Sequence, residues 1–290
     1  MSKPRTLIQF DPDKHASSFD AMVAIDSGVD QLLQYSNIAT DDVQALVYGA
    51  IFTRGIDDLK STAIFIGGAN ASDGESLFKT VQSVFFGPMR VSVMMDSNGA
   101  NTTASAAVVA ARRHVDLSNS TAVVLAATGP VGQRVTRLLA AQGARVKAAS
   151  RSVERAQKVC DEVQARVSNA QLTAIAPAND DELSSVLEDA DVVFAAGTTG
   201  VQLLPESVWT SCNSLRVAVD LNAVPPLGIE GIDVMDAAVQ RGNVNCYGAI
   251  GVGGTKMKIH KASLKKLFTD NSLTLDAEEI FAIGVELDEK

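Results

Sequence analysis

The chain has 290 residues, of which 46% are hydrophobic and 20% charged, and its formal net charge at pH 7 is −9. This length and composition support two ordinary domains or one large one, and the acidic balance argues against general nucleic-acid binding. The three cysteines and three histidines lie far apart without metal-ligand spacing, which predicts free thiols and no metal site. Because no stretch reads as a signal peptide or a membrane span, we expect a cytoplasmic protein with no membrane partner.

The first hundred residues predict a small α/β domain of their own. Short apolar runs typical of buried strands alternate with segments in which apolar residues have helical spacing. The predicted strands are Thr6–Phe10, Ala63–Ile66 and Val91–Met95, and the predicted helices include Val43–Phe52 and Asp73–Phe85. A further segment, Phe19–Ile25, fits either a helix or a strand and contains Asp20.

A polar loop, Asp96–Thr103, follows the third of these strands and leads into an alanine-rich helix, Ala104–His114. Residues at strand ends and helix starts are well placed to line a crevice. Turn formation by Asn98 and helix capping by Asn101 account for part of this polarity without any ligand. Neither explanation needs Asp96, which we therefore treat as a candidate ligand contact.

The segment Thr121–Gly143 reads as a strand, a glycine turn and a helix in unbroken order. Its turn keeps the second and third glycines of the G-x-G-x-x-G dinucleotide fingerprint but has alanine in the first place. The second glycine lets the backbone approach a pyrophosphate, the third lets helix and strand pack closely, and the helix start offers N–H groups to phosphate. The predicted cofactor contacts in this turn are Thr128, Gly129, Pro130, Val131 and Gly132.

The next strand, Ala144–Ala149, ends at Ser150 and Arg151, with Arg155 one helical turn further on. An NAD site usually has an Asp or Glu here to hold the ribose hydroxyls, and neither is present. A guanidinium can instead form paired hydrogen bonds with a 2′-phosphate. We therefore predict NADP as the cofactor, with these three residues as contacts, against the alternative of a solvated loop arginine.

Three later strands are predicted to end in small or polar residues, as a channel for the nicotinamide requires. They are Asp191–Ala196, Arg216–Leu221 and a sixth strand that begins at Tyr247 and ends in a glycine loop. The cofactor candidates at their ends are Gly197, Asn222, Ala223 and Gly253. Lys256 follows the glycine loop, so we place it beside the nicotinamide, whereas the lysines after it are typical of a solvated helix face.

These patterns predict an α/β protein with a Rossmann doubly wound parallel sheet plus a smaller N-terminal α/β substrate domain. The predicted boundaries are 1–103 for the first domain and 104–265 for the NADP-binding domain. A C-terminal helical segment, 266–290, is expected to pack across both domains.

Several short segments, specific only when taken jointly, resemble one known family over nearly the whole length. They are FDPD (Phe10–Asp13), SSFD (Ser17–Asp20), IFTRG (Ile51–Gly55), STAIFIGG (Ser61–Gly68), FFGP (Phe85–Pro88), DSNGANTTA (Asp96–Ala104), ATGPVG (Ala127–Gly132), DLNAVPPLGIEGID (Asp220–Asp233) and GAIGVGGTKMKIH (Gly248–His260). The chain resembles the NAD(P)-dependent methylene-tetrahydromethanopterin dehydrogenases, and most of all their NADP-using branch.

The resemblance implies a pterin-binding first domain and assembly into a homo-oligomer. It also implies hydride transfer from the one-carbon bridge of methylene-tetrahydromethanopterin to NADP. Loss of hydride leaves a methenyl cation that two nitrogens delocalise, so no base is needed at the reacting carbon. The enzyme must align the two reactants and stabilise the growing positive charge. On this basis Lys256 is the catalytic candidate, and the substrate-binding candidates are Asp20, Asp96, Asn98 and Asn101.

Other functions stay open at this stage. A methylene-tetrahydrofolate dehydrogenase would act on the same reacting ring with a different tail, and Lys14-His15, where the family pattern has small residues, bears on that tail. A shikimate-type dehydrogenase shares an arginine loop, but the first domain has no matching Lys and Asp motif. A non-catalytic NADP-binding regulator would need neither the polar loop after Met95 nor Lys256.

Overall fold

The computed structural model describes residues 3–290 and divides the chain into two units. The first unit contains the chain up to Thr102 together with Met257–Lys290, and the second contains Thr103–Lys256. The second unit thus ends before the predicted residue 265, because residues such as His260, which lies beside Asp96, belong to the first unit. The packing of residues 266–290 across both domains stays a prediction.

The N-terminal part of the first unit alternates strands with helices. The strands are β1 (Thr6–Phe10), β2 (Gln31–Tyr35), β3 (Thr62–Ile66) and β4 (Ser92–Met95), and the helices are α1 (Ser18–Asp26), α2 (Val43–Ile51), α3 (Ala71–Val84) and the start of α4 (Ala100–Arg112). The ambiguous segment is helical, and its N-cap Ser17 accepts a hydrogen bond from the backbone N–H of Asp20. Strand β2 was not predicted, because it is mostly exposed at a sheet edge and lacks the apolar pattern of a buried strand.

The second unit has the strand and helix alternation of a doubly wound fold. Its elements are β5 (Thr121–Leu125), α5 (Pro130–Ala141), β6 (Arg145–Ala149), α6 (Val153–Gln164), β7 (Gln171–Ile175), α7 (Asp180–Leu187), β8 (Val192–Ala195), α8 (Glu206–Trp209), β9 (Val217–Asp220), β10 (Ala237–Arg241), β11 (Val244–Tyr247) and the start of α9 (Ala249–Lys266). The sheet order is β10-β11-β9-β8-β5-β6-β7, and only the pairing of β10 with β11 is antiparallel. The order reverses at β5, which is where such sheets bind dinucleotides.

The chain returns to the first unit through α9. Strand β12 (Thr274–Leu275) then pairs with β4, and helix α10 (Ala277–Asp288) follows it. The sheet of the first unit has the order β12-β4-β3-β1-β2 and is parallel throughout. The predicted fold class, a Rossmann doubly wound sheet plus a smaller α/β domain, is confirmed.

The predicted sixth strand with its glycine loop is wrong in detail. Tyr247 ends β11, and Gly253 lies inside α9. A Cβ on Gly248 would overlap the backbone oxygen of Asp233, and one on Gly251 would overlap that of Asp236. These glycines therefore allow the start of a helix to pack closely against a backbone segment, which replaces the predicted loop.

Each unit has its own apolar core. In the first, α2 and α3 pack on the sheet around Phe10, Ile64 and Leu77. In the second, the buried Trp209 packs beneath β8 and β9 and donates from Nε1 to the carbonyl oxygen of Glu230, 2.9 Å away. Of the helices in residues 3–290, none offers an apolar stretch of the length that a bilayer crossing requires.

Candidate active site

The glycine turn between β5 and α5 has the geometry that close packing demands. A Cβ on Gly132 would lie 2.6 Å from the carbonyl oxygen of Ala126 and 2.8 Å from Cα of Ala127, so no side chain fits there. A Cβ on Gly129 would approach no protein atom closer than 3.5 Å. Gly129 caps α5, with Pro130 at the first helical position. The exposed backbone at Gly129 is thus open to a ligand, and the N–H groups of the first helical turn suit an anion.

A cavity of about 480 Å³ lies at the carboxyl ends of β5, β6, β7 and β8. Six predicted cofactor contacts line it: Thr128, Gly129, Ser150, Arg151, Arg155 and Gly197. Pro130, Val131 and Gly132 follow in the first turn of α5. The carboxyl ends of parallel strands meet at one edge of the sheet, which brings these separate segments together.

Arg151 and Arg155 form the cationic part of this cavity. Ser152 caps α6 and accepts a hydrogen bond from the backbone N–H of Arg155 over 3.3 Å, which places Arg155 in the first turn of the helix. Among residues 3–290, neither guanidinium makes an ion pair or a hydrogen bond. Two unpaired guanidinium groups in a cavity are suited to bind a phosphate.

Besides the three residues in the first turn of α5, three further predicted cofactor contacts lie outside the cavity lining. Asn222 donates from its amide to the carbonyl oxygen of Pro226 over 3.2 Å and accepts from the backbone N–H of Val224 over 3.1 Å. Its side chain thus shapes the loop after β9, which also contains Ala223. Gly253 lies in α9, three residues before Lys256. The structure thus gives Asn222 a role in the loop. Contacts of Asn222, Ala223 and Gly253 with the cofactor stay predictions.

One wall of the cavity was not predicted from the sequence, and it consists of Pro177–Asp180 after β7 together with Leu183, Val201 and Leu203. The rule that ligands bind beyond the carboxyl ends of strands, applied to β7 as it was to β8, would have indicated this wall.

A second polar cluster lies at the carboxyl edge of the sheet in the first unit. It contains Asp11 after β1, Gly67 after β3, Asp96 after β4, and Asp20 from α1. A Cβ on Gly67 would lie 3.2 Å from Oδ2 of Asp20 and 3.4 Å from Oδ2 of Asp11. The absence of a side chain at Gly67 therefore lets two carboxylates converge on one point.

Asp96 is buried and held rigidly. Its Oδ1 accepts a hydrogen bond from the backbone N–H of Thr102 over 3.0 Å, and its Oδ2 accepts from Oγ1 of Thr102 over 2.6 Å. Nδ1 of His260 lies 3.9 Å from the same Oδ2. His260 is 1% exposed, and its ring stacks on Phe65 with centroids 5.7 Å apart and lies 6.5 Å from the ring of Phe19.

His260 was not predicted as a functional residue. It stands in α9, far along the chain from β4, and a single histidine on a helix carries no sequence signal for a partner. Only the return of the C-terminal segment to the first sheet places it beside Asp96.

The two predicted asparagines differ in their surroundings. Asn101 is 1% exposed, and its Nδ2 donates to the carbonyl oxygen of Met95 over 2.7 Å and to Oδ1 of Asp276 over 3.0 Å. The structure thus gives Asn101 structural partners, and its contact with the substrate stays a prediction. Asn98 is exposed and has the left-handed φ of 57° at the turn, so its side chain remains available.

The ionisation of Asp20 is strongly perturbed. Burial raises the pKa of its carboxyl group to about 6, and the charges of Asp96 and Asp11 add to this shift. His260 and a hydrogen bond from Ser17 oppose it. Asp20 therefore changes its charge near neutral pH, as groups at functional sites often do.

This pKa predicts how stability depends on pH. A carboxyl group whose pKa is raised by folding contributes stability that is fully present below its ordinary value of 3.8 and is lost as pH rises through about 6. Asp20→Asn is expected to remove this loss, so that the difference between the unfolding free energies at pH 5 and pH 8 shrinks. Urea denaturation measures it, with the exposed Asp57→Asn as control. An unchanged pH dependence in Asp20→Asn would contradict the assignment.

Two family models match the chain in the same order as its two sites. The model described as methylene-tetrahydromethanopterin dehydrogenase, N-terminal, matches residues 18–98, which include Asp20 and Asp96. The model described as NAD(P)H-binding matches residues 126–269, which include the glycine turn and the cavity. Within residues 3–290 there is no group of three or more His, Cys, Asp or Glu side chains placed to hold a metal.

Solved structures share the fold. Quinate dehydrogenase from Corynebacterium glutamicum, in complex with NAD, has a TM-score of 0.51 at 12% identity and covers 98% of this chain and 99% of its own. Shikimate 5-dehydrogenase from Listeria monocytogenes has a TM-score of 0.52 at 10% identity and covers 98% and 96%. At such identities the likeness concerns the fold alone.

Two curated proteins of Methylorubrum extorquens are similar over nearly their whole lengths. The "Bifunctional protein MdtA" is 43% identical over 289 residues, which are 99% of this chain and 100% of that protein. The "NAD(P)-dependent methylenetetrahydromethanopterin dehydrogenase" is 32% identical over 286 residues, covering 95% and 96%. The resemblance inferred from the sequence segments is thereby confirmed, and the chain belongs to the methylene-tetrahydromethanopterin dehydrogenase family.

Proposed function

We propose that this protein transfers a hydride from the one-carbon bridge of methylene-tetrahydromethanopterin to NADP and releases the methenyl product. The observation that carries the proposal is the convergence of Asp20, Asp96 and His260 at the carboxyl edge of the sheet matched by the methanopterin family model. The cavity with two unpaired arginines in the NAD(P)H-binding unit supports the cofactor half of the reaction. The domain roles follow: pterin in the first unit, dinucleotide in the second.

The reaction creates positive charge without moving a proton at the reacting carbon. Two ring nitrogens delocalise the cation, so the protein must supply alignment and negative electrostatic potential. Carboxylates in a partly dry site are effective for this, because their field is screened less than in water. When bound, NADP would accept the hydride. The protein side chains would align the two reactants and stabilise the positive charge.

We assign the electrostatic role to Asp20 and Asp96. Asp96 is fixed by two hydrogen bonds from Thr102, which restrain its carboxylate before any substrate arrives. His260, 3.9 Å away, acts as a positioning residue beside it, and its stacking on Phe65 holds the ring. Phe19, half exposed next to this histidine, offers an aromatic face to a planar pterin.

Lys256 has the proposed catalytic role. It is half-buried in α9 and makes no ion pair within the part of the chain that the structure describes. Lys256 and His260 are four residues apart, and residues at this spacing lie on one face of a helix. The ammonium group would donate to a pterin oxygen or nitrogen and hold the ring in register for hydride transfer.

The cofactor assignment rests on the cavity of the second unit. Its glycine backbone fits a pyrophosphate, since a side chain at Gly129 would occupy that space, and its two arginines fit a third phosphate. A carboxylate at the end of β6 would favour NAD, and Ser150 and Arg151 stand there instead. We therefore propose NADP rather than NAD.

Arg151→Ala tests this preference. We expect the Michaelis constant for NADP to rise about 10- to 100-fold, because a charge-assisted hydrogen bond is lost, and that for NAD to stay within about twofold. Initial-rate kinetics with both cofactors measure the two constants. Lys158→Ala removes an exposed charge from α6, the helix that follows Arg151, at a position outside the cavity lining, and serves as the control. Equal effects of Arg151→Ala on both cofactors would contradict phosphate binding.

The substrate is tested by following NADPH absorbance with methylene-tetrahydromethanopterin and with methylene-tetrahydrofolate. Reduction of NADP with the methanopterin compound supports the proposal. Preference for the folate compound would favour the folate alternative, since both share the reacting ring. Binding of NADPH without reaction of either pterin would favour the non-catalytic regulator. Assembly into a homo-oligomer and a cytoplasmic location remain predictions, and light scattering of the purified protein checks the first.

A further inference from the structure

We propose that Asp180 accepts a hydrogen bond from the 6-amino group of adenine and thereby selects an adenine dinucleotide. This inference rests on the proposed cofactor site and adds a specificity-determining residue to it. The sequence analysis assigned no role to Asp180, and neither the glycine turn nor the arginine pair accounts for it.

The position of Asp180 follows from the strand order. Strand β7 pairs with β6, and the two strands end side by side, with Ala149 opposite Ile175. The backbone N–H of Ser150 donates to the carbonyl oxygen of Ile175 over 3.1 Å, which joins the chain segments that leave the two strands. Residues after β6 and after β7 therefore line the same cavity, and Asp180 is among them.

The side chain of Asn179 and the backbone N–H of Ala178, on the same wall, are already engaged in hydrogen bonds. Oδ1 of Asn179 accepts from the backbone N–H of Glu182 over 3.0 Å, and its Nδ2 donates to Oε1 of Glu182 over 3.2 Å. The backbone N–H of Ala178 donates to Oε2 of Glu182 over 2.8 Å. Among residues 3–290, the Asp180 side chain makes no hydrogen bond or ion pair. Asp180 thus provides an available side-chain acceptor on this wall.

The chemistry of the cofactor limits what this carboxylate can bind. In a doubly wound sheet the pyrophosphate lies at the glycine turn after β5, and the ribose beside it lies at the end of β6. The adenine comes next, at the end of β7. A carboxylate repels the phosphates, whereas the exocyclic amine of adenine donates two hydrogens. Pro177 and Leu183 supply apolar surface for the ring in the same wall.

A purely structural role for Asp180 makes a different prediction. Acidic residues in the first turn of a helix interact favourably with its dipole, and the first turn of α7 contains Asp180, Asp181 and Glu182. Of these three, only Asp180 lines the cavity. Asp181→Ala is therefore a matched control, because it removes the same charge from the same helix turn without touching the site.

The experiment compares the binding of NADPH with that of its hypoxanthine analogue, in which a 6-oxo acceptor replaces the 6-amino donor. Calorimetry on the full-length protein gives both dissociation constants without requiring turnover. We expect the unmodified protein and Asp181→Ala to bind NADPH about tenfold more tightly than the analogue. In Asp180→Ala the ratio should fall to about one, and in Asp180→Asn, whose amide donates to a 6-oxo group, it should also approach one.

Each outcome separates this inference from the proposed function. If the unmodified protein binds NADPH but does not discriminate against the analogue, or if Asp180→Ala keeps the full discrimination, Asp180 does not read the adenine amine. If Asp180 instead accepted a hydrogen bond from a ribose hydroxyl, Asp180→Ala would weaken the binding of NADPH and of its analogue equally. The ratio of the two dissociation constants would then stay unchanged, which would also overturn the inference. If the unmodified protein binds neither NADPH nor NADH, the proposed dinucleotide function itself fails.

Discussion

Lys256→Ala is expected to lower kcat by about 100- to 1,000-fold, the usual effect of removing one fixed donor from a reacting group. The dissociation constant for NADPH should change by no more than about twofold, because Lys256 does not line the dinucleotide cavity. The physical reason is alignment. The ammonium group holds the pterin in position in the transition state, so its removal raises the barrier to hydride transfer.

Single-turnover absorbance measurements with methylene-tetrahydromethanopterin and NADP isolate this step from product release. Lys258→Ala is the matched control, since Lys258 is exposed and two residues further along α9, which turns it to another side of the helix. A single-turnover rate in Lys256→Ala equal to that of the control would remove Lys256 from the site. Partial recovery of the rate in Lys256→Arg would support a role as a charged donor.

Gly251→Ala is expected to lower the free energy of unfolding by about 3 kcal/mol or more, because a Cβ there overlaps the backbone oxygen of Asp236. Backbone cannot move aside as a flexible side chain can, so the start of α9 must shift. Gly254→Ala, three residues later in the same helix, meets no atom within 4 Å. It should stabilise the protein by about 0.5–1 kcal/mol, since alanine favours a helix interior.

Urea denaturation of both variants measures the difference. Both variants replace glycine with alanine. A change in unfolding free energy that differs between them in sign and size therefore indicates the close packing of α9 against the loop before β10. Equal effects of the two substitutions would favour a loop at these glycines, as the sequence pattern predicts, over the helix. If Gly251→Ala does not fold, Gly254→Ala still tests the helix, because only a helical position gains stability from alanine.

Local patterns were sufficient for much of the fold. The turn from β5 to α5 was predicted because strand, glycines and helix follow one another without interruption, and Gly132 has the close approach that the pattern requires. Arg151 and Arg155 were placed in the cofactor cavity for the same reason, since they directly follow a predicted strand. In contrast, β2 was missed because an exposed edge strand lacks the apolar pattern on which the prediction depended.

The glycine run before Lys256 shows why composition alone misleads. Glycines usually mark turns, and the sequence analysis therefore placed a loop at Gly251 and Gly253. The structure has a helix there, in which a Cβ on Gly253 would meet no atom within 4 Å. The contacts that require glycine are those of Gly248 with Asp233 and of Gly251 with Asp236, which no local pattern reveals. Lys256 consequently lies within a helix rather than after a loop.

The sequence by itself determined the fold class, the family, the dinucleotide turn and the carboxylate candidates Asp20 and Asp96, because each depends on residues that are neighbours along the chain or on a recognisable segment. Tertiary structure alone decided that His260 stands beside Asp96, that Asn101 donates to Asp276, and that Asp180 shares a cavity with Arg151. These contacts join residues that are distant in sequence, and only the parallel pairing of strands and the return of α9 to the first sheet bring them together.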